Sequence, residues 1–296
     1  MAQPIKKRDI PFITLFLLPG LLLFVVTILI PSVLAISYSL YQADSFVSQP
    51  TFIGLQNYIE VISEQRFWSD LWKTILYAGC SVLLQVIIGI AIALILNENF
   101  VGREFLRGIS VIPYIIPPIA VAIVWEWMLD SNWGVVNQFI SMIGFDKIAF
   151  LSSNMVMWTA VFISVWTWTP FVTLVFLAGL QTIPSELYES ASLEGANPWQ
   201  LFWKITLPML KPVITTIILL RGIWMFNKFD LMWILTGGGP AEKTETLPIL
   251  TYLYTFKLQR VGAGSTIAII ALIIMTIGML LYLRMMNADE KEESIK

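Results

Sequence analysis

Unbroken apolar runs alternate with short polar segments along this chain, on a length scale far longer than the period of a strand or of an amphipathic helix in a water-soluble domain. Five windows carry no charged residue: Ile10 to Ala43, Thr74 to Asn97, Gly108 to Trp125, Ile148 to Ser185 and Val261 to Leu283. Each reaches the length of about 18 residues that a helix needs to cross the hydrocarbon layer. A sixth window, Pro212 to Leu235, has the length but contains Arg221, Lys228 and Asp230. The pattern predicts an all-α integral membrane protein with six transmembrane helices.

The polar segments carry their own signals. Between the fourth and fifth runs lies ELYESASLEGANPWQLFWKITLP, Glu186 to Pro208. Ser185 is a reasonable N-cap and Glu186 suits a first turn, so a short helix runs from Glu186 to Glu194 and stops at Gly195, which tolerates a left-handed cap. Asn197 starts a second helix, with Pro198 at its first position and Gln200 placed for a capping-box pair. Trp199, Phe202, Trp203 and Thr206 then share one face, and the second helix is expected to lie along the membrane surface. A helix, a glycine turn and a surface helix are shaped to protrude and be gripped, although an ordinary amphipathic linker satisfies the same signals. Three further segments, NYIEVISEQRFWSDLW, SNWGVVNQF and TGGGPAEKTETLP, fit short interfacial helices that either dock an external partner or anchor the bilayer.

Composition makes the bilayer the solvent: 57% of the residues are hydrophobic and 13% charged, against about 25% charged in soluble domains. The first run follows Lys6, Lys7 and Arg8 but outlasts a signal-peptide core and shows no small-residue cleavage site, which reads as a retained helix. Placing both termini in the cytoplasm puts Arg103, Arg107, Lys204, Lys211, Arg284, Lys291 and Lys296 inside with the N-terminal cluster. Arg66, Lys73, Lys147, Lys243, Lys257 and Arg260 are left outside, and the positive-inside rule favours that orientation. The net charge of −2 comes with no basic patch, so nothing points to nucleic acid. The single Cys80 excludes an intrachain disulfide.

Polar groups inside a span are costly and line a route more readily than they face lipid. Counting about 1.5 Å per residue from Lys211, Arg221 lies roughly 15 Å deep and Asp230 roughly 28 Å. Arg221, Trp224, Met225 and Lys228 fall on one face of span 5, an aromatic plane beside donors that suits a polyhydroxylated ligand. Pairing with a partner chain would satisfy Arg221 equally. In span 4, Ser164, Thr167 and Trp168 share a face, for which helix-to-helix bonding and packing are the bland alternative, and Pro170 frees the carbonyl of Trp166. Pro113, Pro117 and Pro118 break span 3 into a pliable gate, with Trp125, Glu126 and Trp127 as its outer rim.

Within the polar stretch, Glu189, Ser190 and Ala191, then Gly195, then Ile205, Leu207 and Pro208 carry a more specific pattern. In these residues the chain resembles the inner-membrane permeases of binding-protein-dependent ABC importers, whose signature reads E-A-A, three residues, G, nine residues, I-x-L-P. Ser190 replaces the first alanine, and Glu194 stands where the family often has Asp. FIGLQNYIEVISEQRFW, IPYIIPPIAVAIVWEWML and FDLMWILTGGGP narrow the resemblance to the carbohydrate-uptake branch, in the six-span first-permease type similar to the maltose and glycerol-3-phosphate importer permeases.

The resemblance implies a single transmembrane permease domain over residues 1–296, with a core of about 70–285 and a coupling loop at 182–211, in the bacterial inner membrane. It implies a heterodimer with a second permease, two ATPase subunits that bind ATP and Mg, and an extracytoplasmic substrate-binding protein that delivers a sugar or polyol. Glu189, Ser190, Ala191, Glu194, Gly195, Ala196 and Pro208 would couple to the ATPase. No G-x-x-x-x-G-K-[ST] phosphate loop occurs in the chain, so if transport is driven by ATP the hydrolysis must happen in another subunit.

Two other classes compete. An ion-coupled secondary transporter or channel would use Arg221, Asp230 and Glu126 as a relay, but the chain lacks histidine and any visible repeat. An intramembrane enzyme lacks an evident metal site or general base, with no histidine, a single Cys and no paired carboxylates at mid-depth.

Overall fold

The computed structural model describes residues 10–44 and 49–293. Lys6, Lys7, Arg8 and Lys296, which enter the charge balance above, lie outside the described residues. Span 1 is helical over Ile10–Phe24 and Ile30–Ser39, joined through a π-helical turn at Val25–Leu29. Span 2 is Gln65–Asn97, span 4 is Val156–Leu180, span 5 is Pro198–Phe226, and span 6 lies within the helix Val261–Glu293. Five helices among the described residues are thus long and apolar enough to cross a membrane singly.

The third run crosses only as a bent pair. Arg103–Ile115 and Pro118–Met128 meet at 93°. Each residue before a proline is pushed out of the helical region. Ile116, at φ −69° and ψ 129°, precedes Pro117, which at ψ 136° precedes Pro118.

Span 5 departs from expectation at both ends. Its first turn, Pro198–Leu201, passes through a π-helical turn at Phe202–Thr206 directly into Leu207–Phe226, so there is no separate surface helix. Its last turn ends at Phe226, and a new helix, Asp230–Thr236, begins after a break. The continuous Pro212 to Leu235 span is therefore corrected. Asn227 caps the first helix, and the Asp230 carboxylate accepts the Leu231 N–H at 2.9 Å, fixing the start of the second.

The chain divides into two compact units. One comprises Met1–Phe67 and Leu250–Ile273. In it, buried Asn57 donates its amide N–H groups to the carbonyls of Ser39 and Tyr41, each at 2.9 Å, and so locks the end of span 1. Two-residue strands Tyr41–Gln42 and Thr51–Phe52 pair antiparallel beside it, Tyr41 opposite Phe52. Arg260 pairs with Glu60 at 3.2 Å, and Tyr254 donates its hydroxyl to Glu64. None of the residues in the most apolar window of span 1 is fully buried.

The other unit comprises Trp68–Ile249 and Ile274–Lys296. Ile90 and Ala93 of span 2, Val172 and Phe176 of span 4, and Leu210 and Ile217 of span 5 form its apolar core. Gly89 lets spans 2 and 4 approach closely: a Cβ there would stand 2.7 Å from Val172. The segment TGGGPAEKTETLP turns inward at its C-terminal end, while Pro240, Ala241, Glu242 and Lys243 stay exposed. Thr244, Glu245 and Thr246 are buried, Thr236 and Thr244 share a 2.7 Å hydrogen bond, and the Leu247 N–H donates to Thr74 Oγ1 of span 2 at 2.8 Å.

Candidate functional site: a capped loop and a buried polar cluster

The stretch from Pro184 to Thr206 forms two helices at a tight corner. Pro184, extended at ψ 131°, precedes the helix Ser185–Leu193, and Ser185 is the first helical residue instead of the expected cap. Pro184 holds the residue before it out of the helical region and itself stands extended at the cap position, so the helix begins at Ser185. At the far end Gly195 takes φ +89°. The Ala196 N–H donates to Ala191 O at 2.9 Å and the Gly195 N–H to Ser192 O at 3.0 Å, the paired bonds of a Schellman turn.

The next helix begins at once with a full capping box. Asn197 Oδ1 accepts from the Gln200 N–H, and Gln200 Oε1 accepts from the Asn197 N–H, both at 2.9 Å. Glu189, Ser190, Glu194, Gly195 and Pro208 are exposed, while Ala191 and Ala196 are half-buried. A hydroxyl pair, Tyr188 with buried Thr206 at 3.0 Å, ties the two arms together. Sequence reasoning missed that clasp. It also missed Leu193, which is 90% exposed beside Glu194 and is the most prominent apolar side chain of the corner.

The second constellation gathers around Arg221, which is 1% exposed. Its Nε donates to Gln85 Oε1 of span 2 at 2.8 Å. The guanidinium carbon lies 5.2 Å from the ring centroid of Trp168 and 5.4 Å from that of Trp224. Gln85 also donates weakly, to Ser164 O at 3.5 Å and to Met225 Sδ at 3.6 Å. Ser164 Oγ bonds Tyr77 OH at 2.5 Å. Thr167, by contrast, gives its hydroxyl to Ile163 O of its own helix at 2.7 Å and adds no free group to the cluster.

Lys228 lies past the end of span 5, so the expected four-residue face is not a helix face. Its Nζ nonetheless reaches the same ring, 4.3 Å from the Trp168 centroid, and pairs with Asp230 at 2.9 Å. Tyr114 of span 3 packs on Trp168 and Phe171, and Phe171 on Trp224, with centroids 5.6–5.8 Å apart. Gln85, Tyr77, Tyr114 and Phe171 were not expected here. Only Gln85 had a signal, as an amide inside a charge-free window. The relay of Arg221, Asp230 and Glu126 is not assembled: Asp230 engages Lys228, and Glu126 lines a separate groove with Trp127 and Asp130. Trp125 packs half-buried on Phe162 and Trp166 instead of forming a rim. Among the described residues no three His, Cys, Asp or Glu side chains come together as metal ligands.

Helices broken at mid-span, a buried cationic cluster between them and a capped corner at one end describe a membrane translocation subunit. The chain belongs to the binding-protein-dependent transport system inner membrane component family, whose model matches residues 85–288. It is 36% identical over 285 residues, 96% of each chain, to the trehalose/maltose transport system permease protein MalF of Thermococcus litoralis. It is 30% identical over 278 residues, 93% of this chain and 90% of the other, to the sulfoquinovosyl glycerol transport system permease protein SmoG of Agrobacterium fabrum. Its fold matches that of a bacterial ABC transporter involved in the import of the acidic polysaccharide alginate, with a TM-score of 0.83 at 24% identity over 95% of this chain and 96% of that one. The chain is an inner-membrane permease and not an enzyme.

Proposed function

We propose that this chain forms half of the translocation path of an ATP-driven importer for a sugar or related polyol. The observation that carries the reading is the corner at Ala191 to Gln200. There a Schellman turn and a capping box fix the signature residues Glu189, Ala191 and Gly195 on an exposed, internally tied protrusion. Span 5 begins in that corner. Its 29 residues extend about 44 Å against a hydrocarbon layer about 30 Å thick. About nine residues in all therefore overhang. With both termini in the cytoplasm the overhang and the corner face the ATPase.

The assembly we infer is a heterodimer with a second permease, two ATPase subunits that hold ATP and Mg, and an extracytoplasmic binding protein. The relatives' names support a saccharide cargo, and one structural neighbour is described as a bacterial alginate ABC transporter in complex with an alginate pentasaccharide-bound periplasmic protein. Substrate passes along Ser164, Trp168, Arg221, Trp224, Met225 and Lys228, with Thr167 shaping the wall, and the bend at Pro117 gates the path.

The test is uptake of labelled sugars into proteoliposomes holding both permeases, the ATPase and the binding protein. ATP-dependent uptake that disappears in Gly195→Val, while ATP hydrolysis continues, supports the reading. Uptake driven by an ion gradient through this chain alone overturns it.

A further inference from the structure

The charge around Arg221 does not close. A guanidinium remains protonated inside a protein, and an uncompensated charge within a span is costly. Yet no carboxylate among the described residues lies within ion-pair distance of Arg221; its hydrogen-bond acceptor there is the neutral amide of Gln85. The nearby carboxylate, Asp230, is engaged by Lys228 at 2.9 Å. Arg221, Lys228 and Asp230 together leave the cluster with one excess positive charge.

The unmet hydrogen bonds point the same way. Arg221 Nη2 and Trp168 Nε1 are both buried and both lack a partner. They sit on adjacent groups, since the guanidinium carbon is 5.2 Å from the Trp168 ring centroid. Both are donors only. A sugar hydroxyl brings a proton that would itself need an acceptor here, and it leaves the charge uncompensated. An anionic group, with two or more oxygens, can accept from each donor and neutralises the excess charge.

We propose that the cargo is a sugar bearing an anionic group, a carboxylate, sulfonate or phosphate, and that Arg221 Nη2 with Trp168 Nε1 receives that group. This rests on the permease reading and narrows it. Trp224, 44% exposed, presents its ring at the surface of the cluster, with the guanidinium 5.4 Å from its centroid. A sugar ring stacks on such a face while its acidic substituent turns toward Arg221. A carboxylate supplied by the second permease would neutralise Arg221 without using that exposed aromatic face, and for this reason the substrate is the favoured source.

The experiment uses the complete importer in proteoliposomes and matched probe pairs: a uronic-acid disaccharide, a sulfonated sugar and a phosphorylated sugar, each beside its neutral counterpart. We expect uptake of an anionic member, a loss of tenfold or more in Arg221→Gln, and a smaller loss in Arg221→Lys. Gln85→Glu is the second variant. It places a carboxylate where Gln85 Oε1 now sits, 2.8 Å from Arg221 Nε, supplies the missing counter-charge from within, and should depress anionic uptake while the complex still assembles on size exclusion.

Transport of neutral sugars alone overturns the charge inference and leaves the permease reading intact. So does an equal loss of neutral and anionic uptake in Arg221→Gln at unchanged assembly, the outcome expected if a partner subunit's carboxylate pairs with Arg221. Failure to transport any sugar while ATP is hydrolysed overturns both.

Discussion

Replacing Gly195 separates two ways in which the corner can matter. Its φ of +89° is the left-handed region, where a side chain costs about 1–2 kcal/mol. A Cβ built there meets nothing within 4 Å, so within this chain the penalty is purely backbone strain. About 1.4 kcal/mol is a tenfold change in the population of the closed turn. Gly195→Ala therefore leaves the fold intact but opens the Ala196 to Ala191 bond roughly tenfold more often, and Gly195→Val opens it further because β-branching is least tolerant of positive φ. Gly195→Asn is nearly neutral, since asparagine enters this region readily.

The ratio of sugar imported to ATP hydrolysed, in the reconstituted importer, reads the consequence. If the turn's shape transmits force, the ratio falls in the order Gly, Asn, Ala, Val. If the partner instead needs empty space at this point, alanine, the smallest addition, outperforms asparagine. Coupling at the wild-type ratio in Gly195→Val refutes the reasoning in either form.

Other bonds give independent tests. Asn197→Ala removes the capping box at a cost of about 1 kcal/mol, and hydrogen exchange at the Gln200 amide should accelerate while that in the middle of span 5 does not. Thr206→Val leaves the Tyr188 hydroxyl without its 3.0 Å partner, and a double-mutant cycle with Tyr188→Phe should return a coupling of about 0.5–1.5 kcal/mol in thermal unfolding. Thr74→Val strands the buried Leu247 N–H and should destabilise the detergent-solubilised protein by about 1–3 kcal/mol. Burial, with the Glu64 carboxyl beside it, pushes the Tyr254 phenol up to about 12. Unfolded tyrosine ionises near pH 10, so the folded state holds this proton more tightly and loses stability as pH rises from about 10 to 12. In Tyr254→Phe that part of the pH dependence should vanish.

The apolar runs were legible because hydrophobic length is a local property. The caps at Asn197 and Pro198 were legible for the same reason, each depending on residues within one turn. That the second helix of the corner runs on into span 5 was not legible. Pro208 reads as a stop, because its ring and missing N–H disrupt the turn before it. The chain instead places a wider π-helical turn at Phe202–Thr206, immediately ahead of that proline, and the helix continues. The break after Phe226 is hidden by the opposite problem, a run from Pro212 to Leu235 that is long enough to cross as one helix despite its charges. Gln85 was visible as a polar residue in a span, but its partner Arg221 lies 136 residues away, and no local pattern pairs them.

One helix carries both constellations. Along span 5, from Pro198 in the corner to Arg221, the distance is about 34 Å of helix. The Tyr188–Thr206 clasp fixes the preceding helix Ser185–Leu193 to that rod near its start. On the proposed coupling role, a displacement of the corner would reach Arg221, Trp224 and Met225 along this helix. At the other end the rod stops at Phe226, and only Asn227 to Phe229 connect it to Asp230–Thr236. Lys228, in that break, bonds Asp230 of the following helix while lying over Trp168 of span 4. The break thus falls where Arg221 can shift against Trp168 and Gln85 without dragging the helix beyond it. A cluster held by one 2.8 Å amide contact and two aromatic faces can rearrange at modest cost, which a full ion pair buried in the same place would resist.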